Sequence, residues 1–260
     1  LATPQIAMVG SRNPSPIGLE LAREFAFDFA TVGLCVTSGL ALGIDGASHE
    51  GALKANGKTI AVLGAGLHHI YPQRHVKLSE KIATHGALVS EFPLQIAPMS
   101  KNFPRRNRIV SGLSLGTLVV EAALKSGSLI TAHYALEQNR DVFAIPGSVR
   151  NATSSGCLSL IQQGAACVIC ADDVLKALSY TYQKTSKPQL IQSVNKRLPL
   201  DCQEQQVLAC IDDVLTTVDQ ICARCRLSAQ IVSTVLLQLE LKAAIKRCHV
   251  GYVRSSEAER

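Results

Sequence analysis

Gln5-Ile6-Ala7-Met8-Val9-Gly10-Ser11-Arg12, followed at once by the helical pattern of residues 17–30, decides how this chain folds. The run from Gln5 to Val9 is continuous rather than alternating, as expected of a strand covered on both faces. Leu21, Phe25 and Phe29 then recur at helical spacing between Ile17 and Ala30. The same grammar repeats down the chain. Further strand runs lie at Leu34 to Thr37, Thr59 to Leu63, Ala87 to Ser90, Thr117 to Val120, Val142 to Ile145 and Ala166 to Ile169. Most lead through a Gly- or Pro-containing turn into a candidate helix. Strand–helix repetition of this kind predicts an α/β fold, a Rossmann-like, doubly wound, mostly parallel sheet over residues 1–178.

The character changes after that. Residues 179–199 carry Lys184, Lys187, Lys196 and Arg197, two prolines and no acid, and read as a basic linker. Residues 200–260 show three short helical patterns, Cys202 to Asp212, Val218 to Cys225 and Ser228 to Glu240. Thr217 or the adjacent Thr216 is placed to cap the second and Ser228 the third. Ala244 to Lys246 and Tyr252 to Arg254 then suit a small hairpin. Three helices and a wing make a winged-helix-like domain.

With 260 residues, 47% hydrophobic and 18% charged, the chain suits a globular protein and excludes disordered, collagenous and strongly acidic classes. Nine cysteines at irregular spacing do not form a secreted disulfide framework, so a reducing, cytoplasmic setting is expected. No stretch approaches the roughly 20 apolar residues of a membrane helix. The chain begins at Leu1 rather than Met, as a fragment or processed form would.

In a doubly wound sheet, ligands bind where strand carboxyl ends meet helix starts. The residues after the strands are Gly10-Ser11-Arg12, Ser38-Gly39 through Gly43-Ile44-Asp45, Gly64-Ala65-Gly66, Glu91-Phe92-Pro93, and Glu121 with Lys125-Ser126-Gly127-Ser128. Such a rim of Gly and Ser offers amide and hydroxyl donors to an anion. Neither a dinucleotide fingerprint nor a Walker lysine occurs, so no nucleotide cofactor is supported by motif. The formal charge of +6 matters through its placement. Lys101-Asn102-Phe103-Pro104-Arg105-Arg106-Asn107-Arg108 holds four cations with no acid nearby. Cations at a helix start oppose its dipole, so local stability does not explain them. Phe103 among them suits stacking on an unpaired base, and Arg12 adds a further cation to the rim.

Other chemistry is thinner. Cys167-x-x-Cys170 and Cys222-x-x-Cys225 lie 51 residues apart, instead of the usual spacing of about 15–20 for a zinc ribbon. They are expected to be buried structural thiols, and no metal centre is expected. His68 and His69 read as surface residues. Asp45 and Glu121 sit on the rim, where each could act as acid or base or simply hold a loop.

Taken together, the rim strings resemble the DNA-processing protein A family, also called DprA or Smf. The matching pieces include Val9-Gly10-Ser11-Arg12, Ser38-Gly39-x-Ala41-x-Gly43-Ile44-Asp45 and Tyr71-Pro72. They continue with Ser90-Glu91-Phe92-Pro93, Phe103-Pro104-x-Arg106-Asn107-Arg108-Ile109 and Lys125-Ser126-Gly127-Ser128-Leu129-Ile130-Thr131-Ala132. The likeness runs from about residue 5 to 175. One departure is Gly156-Cys157-Leu158, where the family often has Gly-Thr/Cys-Asn. The resemblance implies a non-enzymatic binder of single-stranded DNA, usually a homodimer. Family members protect incoming strands and load the RecA recombinase onto them during natural transformation. It also implies DNA contacts from Arg12, Ser38, Gly39, Lys101, Phe103, Arg106, Asn107 and Arg108, with Ser126, Gly127 and Ser128 as weaker candidates.

Two rival functions are weighed against this. A nucleoside-monophosphate phosphoribohydrolase has a similar rim marked by PGGxGTxxE. Here Ser114-Leu115-Gly116-Thr117 precedes a Glu121 that comes one residue late and lacks the double glycine. A transcription regulator would read duplex DNA through the third C-terminal helix. Residues 228–240, however, contain no Lys or Arg and are mostly apolar, which suits protein contacts better.

Overall fold

The structure, a computed structural model, describes residues 1–180, 201–212, 215–242, 244–248 and 251–254. These fall into two compact units, Leu1–Pro188 and Gln189–Arg260. Apart from Ser179 and Tyr180, the basic segment 179–199 lies outside the described residues.

The first unit is built on seven strands: β1 (Gln5–Val9), β2 (Cys35–Ser38), β3 (Thr59–Val62), β4 (Ala87–Val89), β5 (Gly116–Val119), β6 (Asp141–Ala144) and β7 (Ala166–Cys167). Every pairing is parallel, in the order β4-β3-β2-β1-β5-β6-β7. The expected strands are all present, most shifted or shortened by a residue or two. Helices α1 (Pro16–Thr31), α2 (Ile44–Lys54), α3 (Val76–His85), α4 (Asn102–Gly112), α5 (Ser128–Glu137) and α6 (Ser155–Gln162) connect them, and α7 (Ala171–Ala177) follows the last strand.

The continuous apolar runs now have their explanation, because each face of the sheet carries a core. Ile6, Met8, Val36, Leu118 and Phe143 meet Phe25 and Phe29 of α1 and Val174 of α7 on one side. Ala7, Val9, Val62, Val119 and Val142 meet Val110 of α4, Ala132 of α5 and Leu160 of α6 on the other. Alternate residues of one strand thus serve opposite cores. Phe25 and Phe29 pack edge to face with centroids 6.0 Å apart. The start of α1 is set by Ser15, whose hydroxyl accepts the Gly18 amide at 3.0 Å, with Pro16 at the first helical position.

The outermost strands differ from this pattern. β4 is only half-buried, and both residues of β7 are exposed. Cys167 and Cys170 are therefore exposed rather than buried, because the run from Ala166 is a two-residue edge strand with only Val168 turned inward. Cys225 is buried as expected and Cys222 half-buried. Among the described residues no cluster of His, Cys, Asp and Glu is gathered as for a metal ion. No helix there is long and apolar enough to cross a membrane.

The second unit contains α8 (Cys202–Ala209), α9 (Val218–Cys225), α10 (Ala229–Leu241) and a hairpin of β8 (Ile245–Cys248) with β9 (Gly251–Arg254). Thr217 and Ser228 do cap α9 and α10, accepting the amides of Gln220 and Ile231. Thr216 instead pairs with Tyr252 beside the hairpin. Val207, Ile221, Val232, Leu236, Leu239 and Ile245 close a small core of their own, so this is a winged helix.

One buried group makes the first unit sensitive to acid. His49 of α2 is fully buried with Nδ1 2.7 Å from the Thr59 hydroxyl. That hydroxyl donates its hydrogen to the Val36 carbonyl, so His49 Nδ1 carries the proton and Nε2 is left bare without a partner. Burial, aided by the nearby His75 and Arg106, lowers the His49 pKa from 6.5 to about 3. Between those values the unfolded chain binds more protons than the folded one, so stability falls as pH falls. The expected loss between pH 7 and 5 is roughly 2 kcal/mol, read as a drop in the urea midpoint. His49→Gln, which can keep a hydrogen bond to Thr59, should remove most of that slope.

Candidate nucleic-acid interface

The strand order reverses between β1 and β5, and a cleft of about 690 Å³ opens beyond their carboxyl ends. Its walls come from the loop after β1, the loop between β2 and α2, Tyr71, the first turns of α4, and Ser126–Ser128 at the start of α5. Five segments distant in sequence thus meet at one place.

A buried cation forms the floor. Arg106 of α4 is 3% exposed, and its Nη1 donates to the carbonyl of Val62 at the end of β3, while its Nε has no partner. Burial lowers its pKa to about 10, and the charge of Asp45 opposes that shift. Asp45, itself buried near the start of α2, has its pKa raised by desolvation, with Arg106 the strongest opposing influence. The Asp45 carboxylate also accepts the amides of Gly39 at 3.1 Å and Ala41 at 3.3 Å. Between them Leu40 is held at φ 59°, with its side chain fully buried and its carbonyl accepting from His75 Nδ1 at 3.0 Å. Gly39 has a specific reason to lack a side chain, since a Cβ there would overlap the Arg106 guanidinium. The loop after β2 is therefore a lid fastened over a buried charge.

The mouth of the cleft is aromatic and cationic. Exposed Arg12 places its guanidinium 5.7 Å from the centroid of the Phe103 ring, within cation–π range. The Tyr71 ring lies 5.5 Å from that of Phe103, tilted by 45°. On the opposite wall Asn107 Nδ2 donates to the Gly127 carbonyl at 3.4 Å, and the hydroxyls of Ser126 and Ser128 are 2.7 Å apart.

Of the residues singled out in the sequence, Arg12, Gly39, Phe103, Arg106, Asn107, Ser126, Gly127 and Ser128 meet around this cleft. Ser38 lies beneath it, buried, with its hydroxyl donating to the Met8 carbonyl at 2.6 Å. Lys101 is exposed outside the lining. Arg108 and Arg105 both lie against Glu91, Arg105 at 3.9 Å. Helical period explains the split of the basic run. Positions 103, 104, 106, 107 and 110 line the cleft, whereas 105 and 108 project elsewhere. Tyr71 lines the cleft although nothing in the charge pattern marked it.

The two rim carboxylates are both engaged. Asp45 fastens the loop as described. Glu121 accepts the amide of Ser15 at 3.0 Å and its hydroxyl at 2.9 Å, together with the Thr153 hydroxyl, and so ties β5 to the start of α1.

These features define a class: a Rossmann-like parallel-sheet protein with a cleft lined by arginine and aromatic side chains at its switch point, and with a winged helix as its second unit. Residues 1–179 match the DNA recombination-mediator protein A family, and residues 194–249 match the DprA winged helix domain. The chain belongs to the DNA recombination-mediator protein A family, the DprA/Smf proteins. It is 46% identical over 261 residues to Protein Smf of Escherichia coli, covering 98% of this chain and 68% of that protein. It is 45% identical over 174 residues to DNA processing protein DprA of Bacillus subtilis, covering 67% and 59% respectively. The chain thus spans about three-fifths to two-thirds of these relatives' lengths. The solved DNA processing protein A of Streptococcus pneumoniae superposes with a TM-score of 0.62 at 43% identity, over 67% of this chain and 61% of that one. A Helicobacter pylori DNA processing protein A structure, described for its single-stranded DNA binding mode, gives a TM-score of 0.64 at 31% identity, over 70% and 83%.

Steric coupling between loop and cation is directly testable. Gly39→Ala should cost about 1–3 kcal/mol, the usual penalty of overpacking, as the Arg106 guanidinium is pushed aside. In an Arg106→Ala background the same methyl group should cost much less. Equal costs in the two backgrounds, measured by urea unfolding, would show that the contact carries no energy.

Proposed function

We propose that this protein binds single-stranded DNA in the switch-point cleft, shields it, and passes it to the RecA recombinase during natural transformation. The observation that carries this reading is the combination of Arg12 held over Phe103 with the buried Arg106 beneath. Fixed cations beside aromatic rings suit a flexible phosphate chain whose bases are unpaired, and suit a small anion or a rigid duplex poorly. Arg12, Arg106, Asn107 and the Ser126–Ser128 loop are the proposed contacts inside the cleft, with Lys101 and Arg108 supplying charge on the approaches. Ser38 and Gly39 support the loop beneath the strand, and Phe103 organises the mouth.

The reading extends to a cytoplasmic homodimer that uses no catalytic residue and no cofactor. Both rim carboxylates are engaged in holding backbone and hydroxyl groups, which is support for binding over hydrolysis. Release of adenine from AMP by the purified protein would overturn that part. Residues 1–178 are assigned the DNA, residues 179–199 a connecting role, and residues 200–260 contacts with protein. The last assignment rests on α10, which carries no Lys or Arg and leaves Ile231, Leu237 and Leu241 exposed.

Phosphate binding of this kind is salt-dependent. The affinity for fluorescein-labelled oligothymidylate, read by anisotropy, should fall linearly with log salt. Arg12→Ala should lower the log–log slope by about 0.7, the value for one single-strand phosphate no longer neutralised. An unchanged slope would remove Arg12 from the site.

A further inference from the structure

We infer that the bound strand does not end at the cleft: on leaving it, the sugar-phosphate backbone follows α3 along Arg74, Lys77 and Lys81. The inference rests on the cleft being a single-stranded DNA site and adds a second, purely electrostatic contact zone outside it.

The helix is tethered to the rim at its start. In a parallel crossover the connecting helix runs back from the carboxyl ends of the strands to their amino ends, so α3 begins beside the cleft and leads away from it. Tyr71 lines the cleft, Pro72 is buried, and the short 3₁₀ turn Gln73–His75 leads into α3. His75 fastens this turn. Its Nδ1 donates to the Leu40 carbonyl at 3.0 Å, and its ring packs so closely on α2 that a Cβ at Gly46 would come within 2.6 Å. Leu78 and Ile82 turn inward to the cluster of Leu40, Ala61 and Leu63. The outward side carries the cations. Arg74, Lys77 and Lys81 are all exposed, and Lys77 and Lys81, four residues apart, share one helical face about 6 Å apart along the axis.

Helix stability does not account for these charges. No acidic residue stands in the first turn of α3, and Arg74 just before that turn and Lys77 within it oppose the helix dipole. Glu80 is the one acid of the helix. Among the described residues neither it nor any other carboxylate pairs with Arg74, Lys77 or Lys81. Arg105 and Arg108 differ, since both lie against Glu91, and Arg23 pairs with Glu50. A row of unpaired cations that starts at the cleft matches a chain of phosphates laid along one line. Such contacts hold the backbone and carry no sequence information. Continuity with the cleft favours the strand already seated there over an acidic protein segment.

The test is a length series of fluorescein-labelled oligothymidylates on the full chain, each titrated at several salt concentrations and read by anisotropy. Arg74, Lys77 and Lys81 are replaced together by Gln, which keeps helix propensity. The shortest oligomers that bind should not distinguish this triple variant from the wild type. On long ones the wild-type log–log slope should be steeper by about 2, three phosphates at about 0.7 each. The charge-keeping triple variant Arg74→Lys, Lys77→Arg, Lys81→Arg should hold the wild-type slope at every length. Arg12→Ala, by contrast, should lower the slope at every length. Equal slopes for the Gln variant and the wild type on long oligomers would overturn the inference and leave the stripe to an acidic protein partner. A loss of the same size at every length would overturn it as well, because the three cations would then act at the cleft itself. A wild type that binds no oligothymidylate would overturn the DNA reading of the cleft and this inference with it.

Discussion

A guanidinium placed where bare charge is costly organises the centre of this molecule. Arg106 cannot be solvated in its position, so surrounding elements must compensate it. β3 supplies a carbonyl, α2 supplies the charge of Asp45, and the loop after β2 gives up a side chain at Gly39 to make room. Since Asp45 also holds the amides of Gly39 and Ala41, the cation and the loop are fastened by the same carboxylate. Three consecutive strand–helix units are thereby locked together at the edge of the cleft, whose floor is a buried guanidinium–carboxylate pair.

This arrangement alters what the rim offers a ligand. A Gly- and Ser-rich loop at a strand end invites the reading of an open cradle of amides. Here the amides of residues 39 and 41 are spent on Asp45, and the hydroxyls of Ser15 and Ser38 on Glu121 and Met8. The groups left to face the cleft are guanidinium groups, one buried and one against an aromatic ring. Arg106 is set in place by packing, whereas exposed Arg12 rests on the Phe103 ring.

Much of this was legible in the residues alone, and the boundary follows physical lines. Strands buried on both faces announce themselves as continuous apolar runs, so Gln5–Val9 and its counterparts could be placed closely. Ser228 is equally readable as a helix cap, whereas the cap of α9 lies between two adjacent threonines that the sequence does not separate. The basic run 101–108 marked the right helix but not its inward face, because charge density in sequence carries no phase until the helix is docked. The exposure of Cys167 and Cys170 is not legible in the residues, since an edge strand and a central one differ in neighbours rather than in composition. Tyr71-Pro72 is visible in the sequence as a family string, but its place in the cleft is not, because that depends on Phe103, which lies 32 positions away in the chain.

The sheet also has a seam. The halves β4-β3-β2-β1 and β5-β6-β7 are joined within it through the β1–β5 ladder alone, and the cleft straddles that line. Arg12 and Tyr71 stand on one bank, Ser126 to Ser128 on the other, and α4 reaches between. Any polymer seated across both banks becomes a brace, adding its binding free energy to whatever resists the parting of the halves. Occupancy then spreads beyond the contact residues as slower amide exchange along β1 and β5, so that cargo and container stiffen each other.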